Sequence, residues 1–288
     1  MALLFGNRPF DFTDFFSLIM DGKIDLSNLN YLDVMKNSVE AGFKHIEITG
    51  DLPYVLPGLL TPEEIERLVE FKKKEKITYS IHLPLWGQEP AAFSEHIRDG
   101  SVRTFVECIE LTKPLDPICW VMHPTGALTV EFLNMNLPDF TKGLIVSQFC
   151  SYAEDSIRKL IEYADIAPEK IAVENIEFPF ESMEPIIDEL GLSICFDTGH
   201  LLAGFSGEIS VMDFIEKYID RLAELHLHDG AKPRIDHKSL GKHDLPVREL
   251  LLELQKKNFK GPLVYELTLQ DALDSMNYIK KHIPKVLK

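Results

Sequence analysis

Short runs rich in β-branched and apolar residues recur along the chain, each followed by a stretch whose apolar positions return every three to four residues. The runs lie at 3–6 (LLFG), 45–49 (HIEIT), 78–82 (TYSIH), 119–123 (CWVMH), 171–175 (IAVEN), 193–197 (SICFD), 223–227 (AELHL) and 263–267 (LVYEL), and they predict strands. The amphipathic stretches predict helices near 29–41, 62–75, 94–113, 147–164, 181–190, 210–219, 245–258 and 270–283. Thr61 ahead of Pro62, Glu63 and Glu64 is a helix start: a cap, a first-turn proline, and acids that suit the positive end of the helix dipole.

Strand and helix thus alternate eight times, which predicts a single (β/α)8 TIM barrel with its active site at the C-terminal ends of the strands. A doubly wound open sheet would carry a glycine-rich phosphate turn after its first strand, and FGNRPFDF is not one. No Gly, Ser or Pro linker and no low-complexity tract divides the chain, so residues 1–288 are read as one domain. Two connections exceed what a barrel needs, 7–28 and 124–146. Both follow strand C-termini, where either could cover a substrate. Phe132, Met135 and Phe140 in the second would serve equally as a lid, a subunit contact or local core.

Alternation places residues two apart on one face of a strand. On that reading the last inward positions are His82 after Ser80, His123 after Val121 and Cys119, Glu174 after Ala172, Asp197 after Cys195 and Ser193, and Glu266 after Val264. Strand seven contributes His226 and His228, and strand two Glu47, while Ile81, Met122, Val173, Phe196 and Tyr265 take the opposite parity and pack beneath helices. A lone histidine or acid at a strand end is ordinarily structural. So many together, in one low-dielectric mouth with no protein cation at these positions, would each cost several kcal/mol if unpaired, about what divalent ions relieve. Imidazole mixed with carboxylate suits zinc, manganese or iron better than calcium, which takes oxygen ligands. Asp197 would bind at its strand end, and His200, three residues on, could reach a ligand position above it.

The segment 226–244, HLHDGAKPRIDHKSLGKHD, adds Asp229, Asp236, His237 and His243 in a loop on the same side. Asp236 and His237 read as a ligand pair and His243 as surface. Asn175, adjacent to Glu174 but of opposite parity, reads as a hydrogen-bonding residue behind the ligands; with Glu47 and His228 it completes the residues assigned to substrate contact.

Composition narrows the partners. The 288 residues are 45% hydrophobic and 26% charged, an ordinary globular balance, and the formal charge of −16 repels phosphate backbones. Nucleic acid is therefore not the expected partner. The basic run at 71–76 reads as the solvated end of a helix. No apolar stretch is long enough to span a membrane and the first residues make too short a run for a signal peptide, so a cytoplasmic location is expected. Cys108, Cys119, Cys150 and Cys195 lack CxxC spacing and read as buried thiols. The oligomeric state is not legible.

These residues resemble the xylose-isomerase-like TIM barrels and, within them, the endonuclease IV family of metal-dependent phosphodiesterases. VMHPTG resembles that family's fourth-strand histidine motif, AVEN its bridging glutamate, CFDTGHLLAG its aspartate–histidine segment, LHLHD its seventh strand, DHKSLG its histidine loop and PLVYEL its closing glutamate. The resemblance implies that His82, His123 and Glu174 hold one metal, that Glu174 bridges to a second completed by Asp197, His226 and Glu266, and that His200 and His237 hold a third. The pattern departs at Ile235, where the family's third metal takes an aspartate; here the acid is Asp236. The fragments ELTKPLDPICWVMH, VENIEFPFE, ELGLSICFDTGHLL and DHKSL resemble the cobamide-remodelling phosphodiesterases of the same superfamily, which implies a corrinoid nucleotide loop as substrate.

The expected chemistry is phosphodiester hydrolysis with two or three divalent ions, a hydroxide held between them at Glu174, and the leaving oxygen stabilised near His200 and His237. The alternative is a metal-dependent sugar or sugar-phosphate isomerase or epimerase, one metal on Glu174, Asp197, His226 and Glu266, with Glu174 and Glu266 exchanging protons at carbon. A binding barrel without chemistry is the third reading.

Overall fold

The computed structural model describes residues 2–9, 30–177 and 179–288. Eight parallel strands close into a barrel: β1 (Leu4–Asn7), β2 (His45–Thr49), β3 (Thr78–His82), β4 (Trp120–Met122), β5 (Ile171–Glu174), β6 (Ser193–Asp197), β7 (Leu222–His226) and β10 (Pro262–Tyr265). They follow one another around the ring in chain order, β10 closing against β1 through Phe5 opposite Leu263 and Asn7 opposite Tyr265. The fold is the (β/α)8 barrel the alternation predicts, with each strand within one or two residues of its expected place.

Helices α1 (Tyr31–Glu40), α2 (Leu52–Val55), α3 (Pro62–Glu75) and α4 (Glu95–Thr112) follow the early strands. The Thr61 side chain accepts the Glu64 N–H at the start of α3, as the capping pattern predicts. The 124–146 segment is not an open loop but largely helical, comprising α5 (Ala127–Asn134) and the first turns of α6 (Asp139–Ala164), which starts eight residues ahead of the predicted 147. Of its aromatics, Phe132 packs edge-on against Phe149, while Phe140 is 78% exposed and Met135 45%. The other long connection, 7–28, lies outside the described residues beyond position 9. Around the second half of the barrel run α7 (Glu184–Leu190), α8 (Thr198–Ala203), α9 (Val211–Tyr218), α10 (Val247–Lys256) and α11 (Leu269–His282). The segment after β7, expected as a loop, forms an antiparallel hairpin of β8 (Asp229–Ala231) and β9 (Ile235–Lys238).

Strand alternation separates two apolar cores. Ile81, Met122, Val173, Phe196 and Tyr265 join the large shell between strands and helices, as their parity predicts. Cys119, Val121, Ala172 and Cys195 form a small separate cluster inside the barrel. All four cysteines are buried and unpaired, and burial pushes the Cys119 and Cys195 thiols up. The barrel interior is not purely apolar below the rim: Ser80 Oγ donates to Glu224 at 2.9 Å and meets His45 Nε2 at 2.9 Å. Burial, then the neighbouring Glu47 charge, raises the Glu224 carboxyl well above its ordinary range, which favours its neutral form. None of the described helices is long and apolar enough to cross a membrane.

Candidate metal centre

The upper end of the barrel gathers what parity placed there. Glu174, at the end of β5, divides its two carboxylate oxygens. Oε2 lies 3.3 Å from His82 Nε2 and 3.1 Å from His123 Nε2. Oε1 lies 3.0 Å from His200 Nδ1 and 3.5 Å from His226 Nδ1. His226 Nδ1 is also 3.6 Å from Asp197 Oδ2 and 3.4 Å from Glu266 Oε1. Two clusters therefore share one carboxylate: His82, His123 and Glu174 on one side, and Glu174, Asp197, His226 and Glu266 on the other.

Around these groups a layer of hydrogen bonds fixes which atom faces the centre. His82 Nδ1 lies 2.8 Å from the Leu83 carbonyl, which can only accept, so Nδ1 carries a proton and Nε2 is the nitrogen turned toward Glu174. His226 Nε2 lies 3.1 Å from Glu47, and Nδ1 is turned to the three carboxylates. His228 Nδ1 accepts the His237 N–H at 3.0 Å, so its Nε2–H donates to Asp197 Oδ2 at 2.8 Å. Asn175 clamps the end of β6, accepting the Asp197 N–H at 2.6 Å and donating to the Asp197 carbonyl and to Ser206. Asp197 in turn caps α8, accepting the His200 N–H at 2.6 Å and so setting where that imidazole points.

Gly199 matters for closeness rather than torsion. A Cβ at that position would lie 2.1 Å from His228 Nδ1. The Asp-Thr-Gly-His run therefore carries an acid, a gap for the His228 ring, and an imidazole one helical turn above the acid.

Several expectations change here. Glu47, His228 and Asn175, expected to contact substrate, are all completely buried; Glu47 Oε2 lies against His226, and His228 and Asn175 bond to Asp197. Asp229 is no ligand: its carboxylate accepts the N–H groups of Gly230, Lys242, His243 and Leu245 and ties the hairpin to the following turn. His243 is exposed, as expected. A protein cation is present after all. Arg8, just past β1, pairs with Glu266 and lies 3.8 Å from Glu47. It shares the inward parity of Gly6, a signal the polar pattern on the other strands obscured. Glu224, two residues before His226 on the same inward face, lies below the rim, where the charge pattern of the strand ends does not point.

Asp236 and His237 sit at the rim, about a third exposed, with Asp236 Oδ2 3.3 Å from His237 Nδ1 and 3.8 Å from His200 Nε2. His237 Nε2 reaches Glu266 at 3.3 Å. His200, His228 and His237 form a third cluster, but both ring nitrogens of His228 are engaged within the protein. The displaced acid at Asp236, rather than His228, stands with His200 and His237.

Electrostatics follow from packing these groups together. Burial opposes ionisation of Glu174, yet His123 and His226 outweigh it and hold its carboxyl well below the usual range. Asp197 is held down against burial by His200 and His228, and Glu266 by Arg8 and His226. Burial opposes the imidazolium of His123, but Glu174 lifts it to about 9; His237 is lifted against burial by Asp236 and Glu266 to about 10.

The donor set fits divalent cations. Glu174 Oε1, His200 Nδ1 and His226 Nδ1 are buried without a hydrogen-bond partner. Within each of the two clusters on Glu174, the donor atoms lie within 4.8 Å of one another. Ligands on bonds of about 2.0–2.2 Å stand roughly 3.0–3.5 Å apart around a metal, the spacing seen across Glu174. A cavity of about 380 Å3 opens above, walled by Arg8, Trp86, Ile176 and Lys238 as well as the histidines.

A family model for the xylose isomerase-like TIM barrel matches residues 35–282. The chain belongs to that family. An uncharacterized protein of Methanocaldococcus jannaschii is 24% identical over 280 residues, spanning 92% of this chain and 90% of the relative. Among solved structures, a D-tagatose 3-epimerase-like protein superposes with a TM-score of 0.73 at 22% identity, covering 99% of this chain and 98% of that one. Endonuclease IV from Thermus thermophilus does so with a TM-score of 0.67 at 16% identity, covering 99% and 100%. At these identities the two structures establish the shared fold.

Proposed function

We propose that this barrel is a divalent-metal-dependent hydrolase of small-molecule phosphodiesters. One observation carries the reading: the Glu174 carboxylate is shared between a two-histidine set on Oε2 and an Asp197–His226–Glu266 set on Oε1. A single-metal enzyme needs the second set only and leaves His82 and His123 to serve as substrate contacts. Zinc, manganese or iron at these positions supplies charge to polarise a phosphoryl group and lowers the pKa of water to near neutrality.

The residues of the chain do the rest. His82, His123 and Glu174 would hold one ion, and Glu174, Asp197, His226 and Glu266 another, while Glu47 and His228 keep His226 and Asp197 in the orientation that ligation requires. Arg8 and Lys238 place positive charge on the wall of the cavity, where nonbridging phosphoryl oxygens would lie. His200 Nε2 lies 3.8 Å from Asp236, and His200 and His237 would stand on the side of the leaving oxygen. Likeness to the cobamide-remodelling phosphodiesterases makes a corrinoid nucleotide loop the first natural substrate to assay; the net charge argues against nucleic acid.

A second reading, sugar epimerisation, is favoured by the completeness of the Glu174–Asp197–His226–Glu266 set and by the recurrence of sugar 3-epimerases among similar structures. Glu174 and Glu266 would then exchange protons with substrate carbon. Metal analysis together with cleavage of bis(4-nitrophenyl) phosphate separates the two. The hydrolase reading expects at least two ions per chain and cleavage, and expects His123→Ala to lose one ion and abolish cleavage while the protein remains folded. One ion with no cleavage would hand the site to epimerase chemistry.

A further inference from the structure

Beneath the Glu174–Asp197–His226–Glu266 set the barrel holds a second, overlapping group of donors. Cys195 lies on β6 two residues before Asp197, on the same inward face, level with Glu174 on β5 and Glu224 on β7. It is completely buried. One ligand atom from each of Glu174, Cys195 and His226 lies within 4.8 Å of the other two, as in the upper set. The two sets share a carboxylate and an imidazole and differ in what completes them: two further carboxylates above, a single sulfur below.

A buried cysteine is ordinarily core packing, and Cys195 does pack with Cys119, Val121 and Ala172. What sets it apart is the pair of donors beside it. Glu174 Oε1 and His226 Nδ1, 3.5 Å apart, are both buried without a hydrogen-bond partner. Cys119, in the same cluster, has another use for its thiol, which donates to Glu224 Oε2 at 3.4 Å, and it joins no group of metal donors among the described residues. A zinc–sulfur bond of about 2.3 Å and bonds of about 2.0–2.2 Å to nitrogen and oxygen put such ligands roughly 3.4–3.6 Å apart, so small movements close the lower set on an ion. Glu266 of the upper set lines the cavity above the centre, whereas Glu174, Cys195 and His226 do not. An ion held by the sulfur therefore lies deeper than one held by Glu266, away from substrate.

We propose that Cys195, Glu174 and His226 form a soft-metal site, which takes a thiophilic divalent cation beneath the position used for catalysis. The proposal rests on the metal centre of the hydrolase reading, which gives Glu174 and His226 an ion to face. Thiolate favours soft ions such as cadmium, whereas carboxylate and water suit manganese. Burial raises the Cys195 thiol and His226 opposes that rise, so ligation exchanges the thiol proton for the ion and passes the proton to solvent. Because both sets draw on Glu174 and His226, they exclude one another, and the softness of the ion decides which position is filled.

The full chain, freed of metal by chelation and titrated with cadmium or cobalt, provides the test. Saturable sulfur-to-metal charge-transfer absorption in the ultraviolet is expected, lost in Cys195→Ala and kept in Cys119→Ala. Cys195→Ala is also expected to weaken cadmium binding at least about tenfold and manganese binding less than about twofold. Since that substitution lies in the barrel interior, cadmium-113 NMR of the unaltered protein supplies a reading free of any variant: a sulfur-ligated resonance, well downfield of one bound by nitrogen and oxygen alone. Cadmium bound with neither the absorption nor that resonance, or absorption that survives Cys195→Ala, would overturn the soft site and leave the metal centre standing. Cys195-dependent absorption in a protein that binds manganese yet leaves bis(4-nitrophenyl) phosphate intact would keep the soft site and remove the hydrolase reading. Retention of neither cadmium nor manganese would overturn both.

Discussion

Replacing Gly199 with alanine would put a methyl carbon 2.1 Å from His228 Nδ1 and 2.2 Å from Cε1, where ordinary contact begins at 3.4 Å. The ring has to move by more than about 1 Å, and it has nowhere cheap to go. It is completely buried, its Nδ1 accepts the His237 N–H, and its Nε2–H donates to Asp197. Overpacking of this kind costs about 1–3 kcal/mol, and loss of a hydrogen bond to a buried carboxylate about 1.5–3 more. A total of roughly 3–6 kcal/mol is a large part of the ~5–15 kcal/mol that holds a domain folded. It should lower the melting temperature on the order of 10 °C and weaken metal retention, because Asp197 loses the donor that orients it. Urea unfolding and metal analysis of Gly199→Ala, His228→Ala and the double variant check the cause. If the clash with the ring is responsible, the double variant is no worse than His228→Ala alone. Additive losses, or a Gly199→Ala protein of unchanged stability and metal content, would refute the argument.

Other outcomes follow from the same geometry. His123 and His237, lifted to about 9 and about 10, carry protons at neutral pH in the metal-free protein and must lose them to ligate. Metal binding at pH 7 should therefore release protons, and affinity should rise toward pH 9, which calorimetry in buffers of different ionisation enthalpy reads directly. Their folded pKa values exceed the unfolded value of about 6.5, so their contribution to metal-free stability is full below that pH and lost as pH rises through 9 and 10. Glu174, Asp197 and Glu266, held low, contribute above their unfolded values of about 4 and lose that contribution on acidification. Chelation should destabilise the protein by about 2.7–4 kcal/mol if the ion had been present at a hundred to a thousand times its Kd, seen as a drop in melting temperature that added zinc or manganese reverses. Glu224→Gln should change stability by less than about 1 kcal/mol in denaturant titration, because burial and Glu47 already favour the uncharged form of the carboxyl it replaces; a loss of several kcal/mol would mean that Glu224 is ionised.

Local pattern was sufficient for the barrel and for the rim. Eight β-rich runs separated by amphipathic stretches admit few topologies, because parallel neighbours need helical crossovers and those crossovers keep one hand. Strict alternation then tells which residue of each strand faces inward, so His82, His123, Glu174, Asp197, His226 and Glu266 were legible as convergent from spacing alone. Parity says which way a side chain points but not what it meets. Only the closed ring brings Arg8, just past the first strand, against Glu266 beyond the last, 258 positions away in sequence and adjacent in space. Whether an inward histidine faces the cavity or another side chain was likewise beyond the pattern: His226 and His228 share one parity, yet His226 turns Nδ1 to the centre while His228 spends both nitrogens on Asp197 and the His237 backbone. Asp229 and Asp236 occupy one hairpin and look alike in sequence, but the fold makes the first a backbone clamp and leaves the second at the rim. The sequence determined the strands and their faces because those depend on near neighbours along the chain; tertiary structure decided the partners, because hydrogen bonds and charge pairs depend on distances that only barrel closure sets.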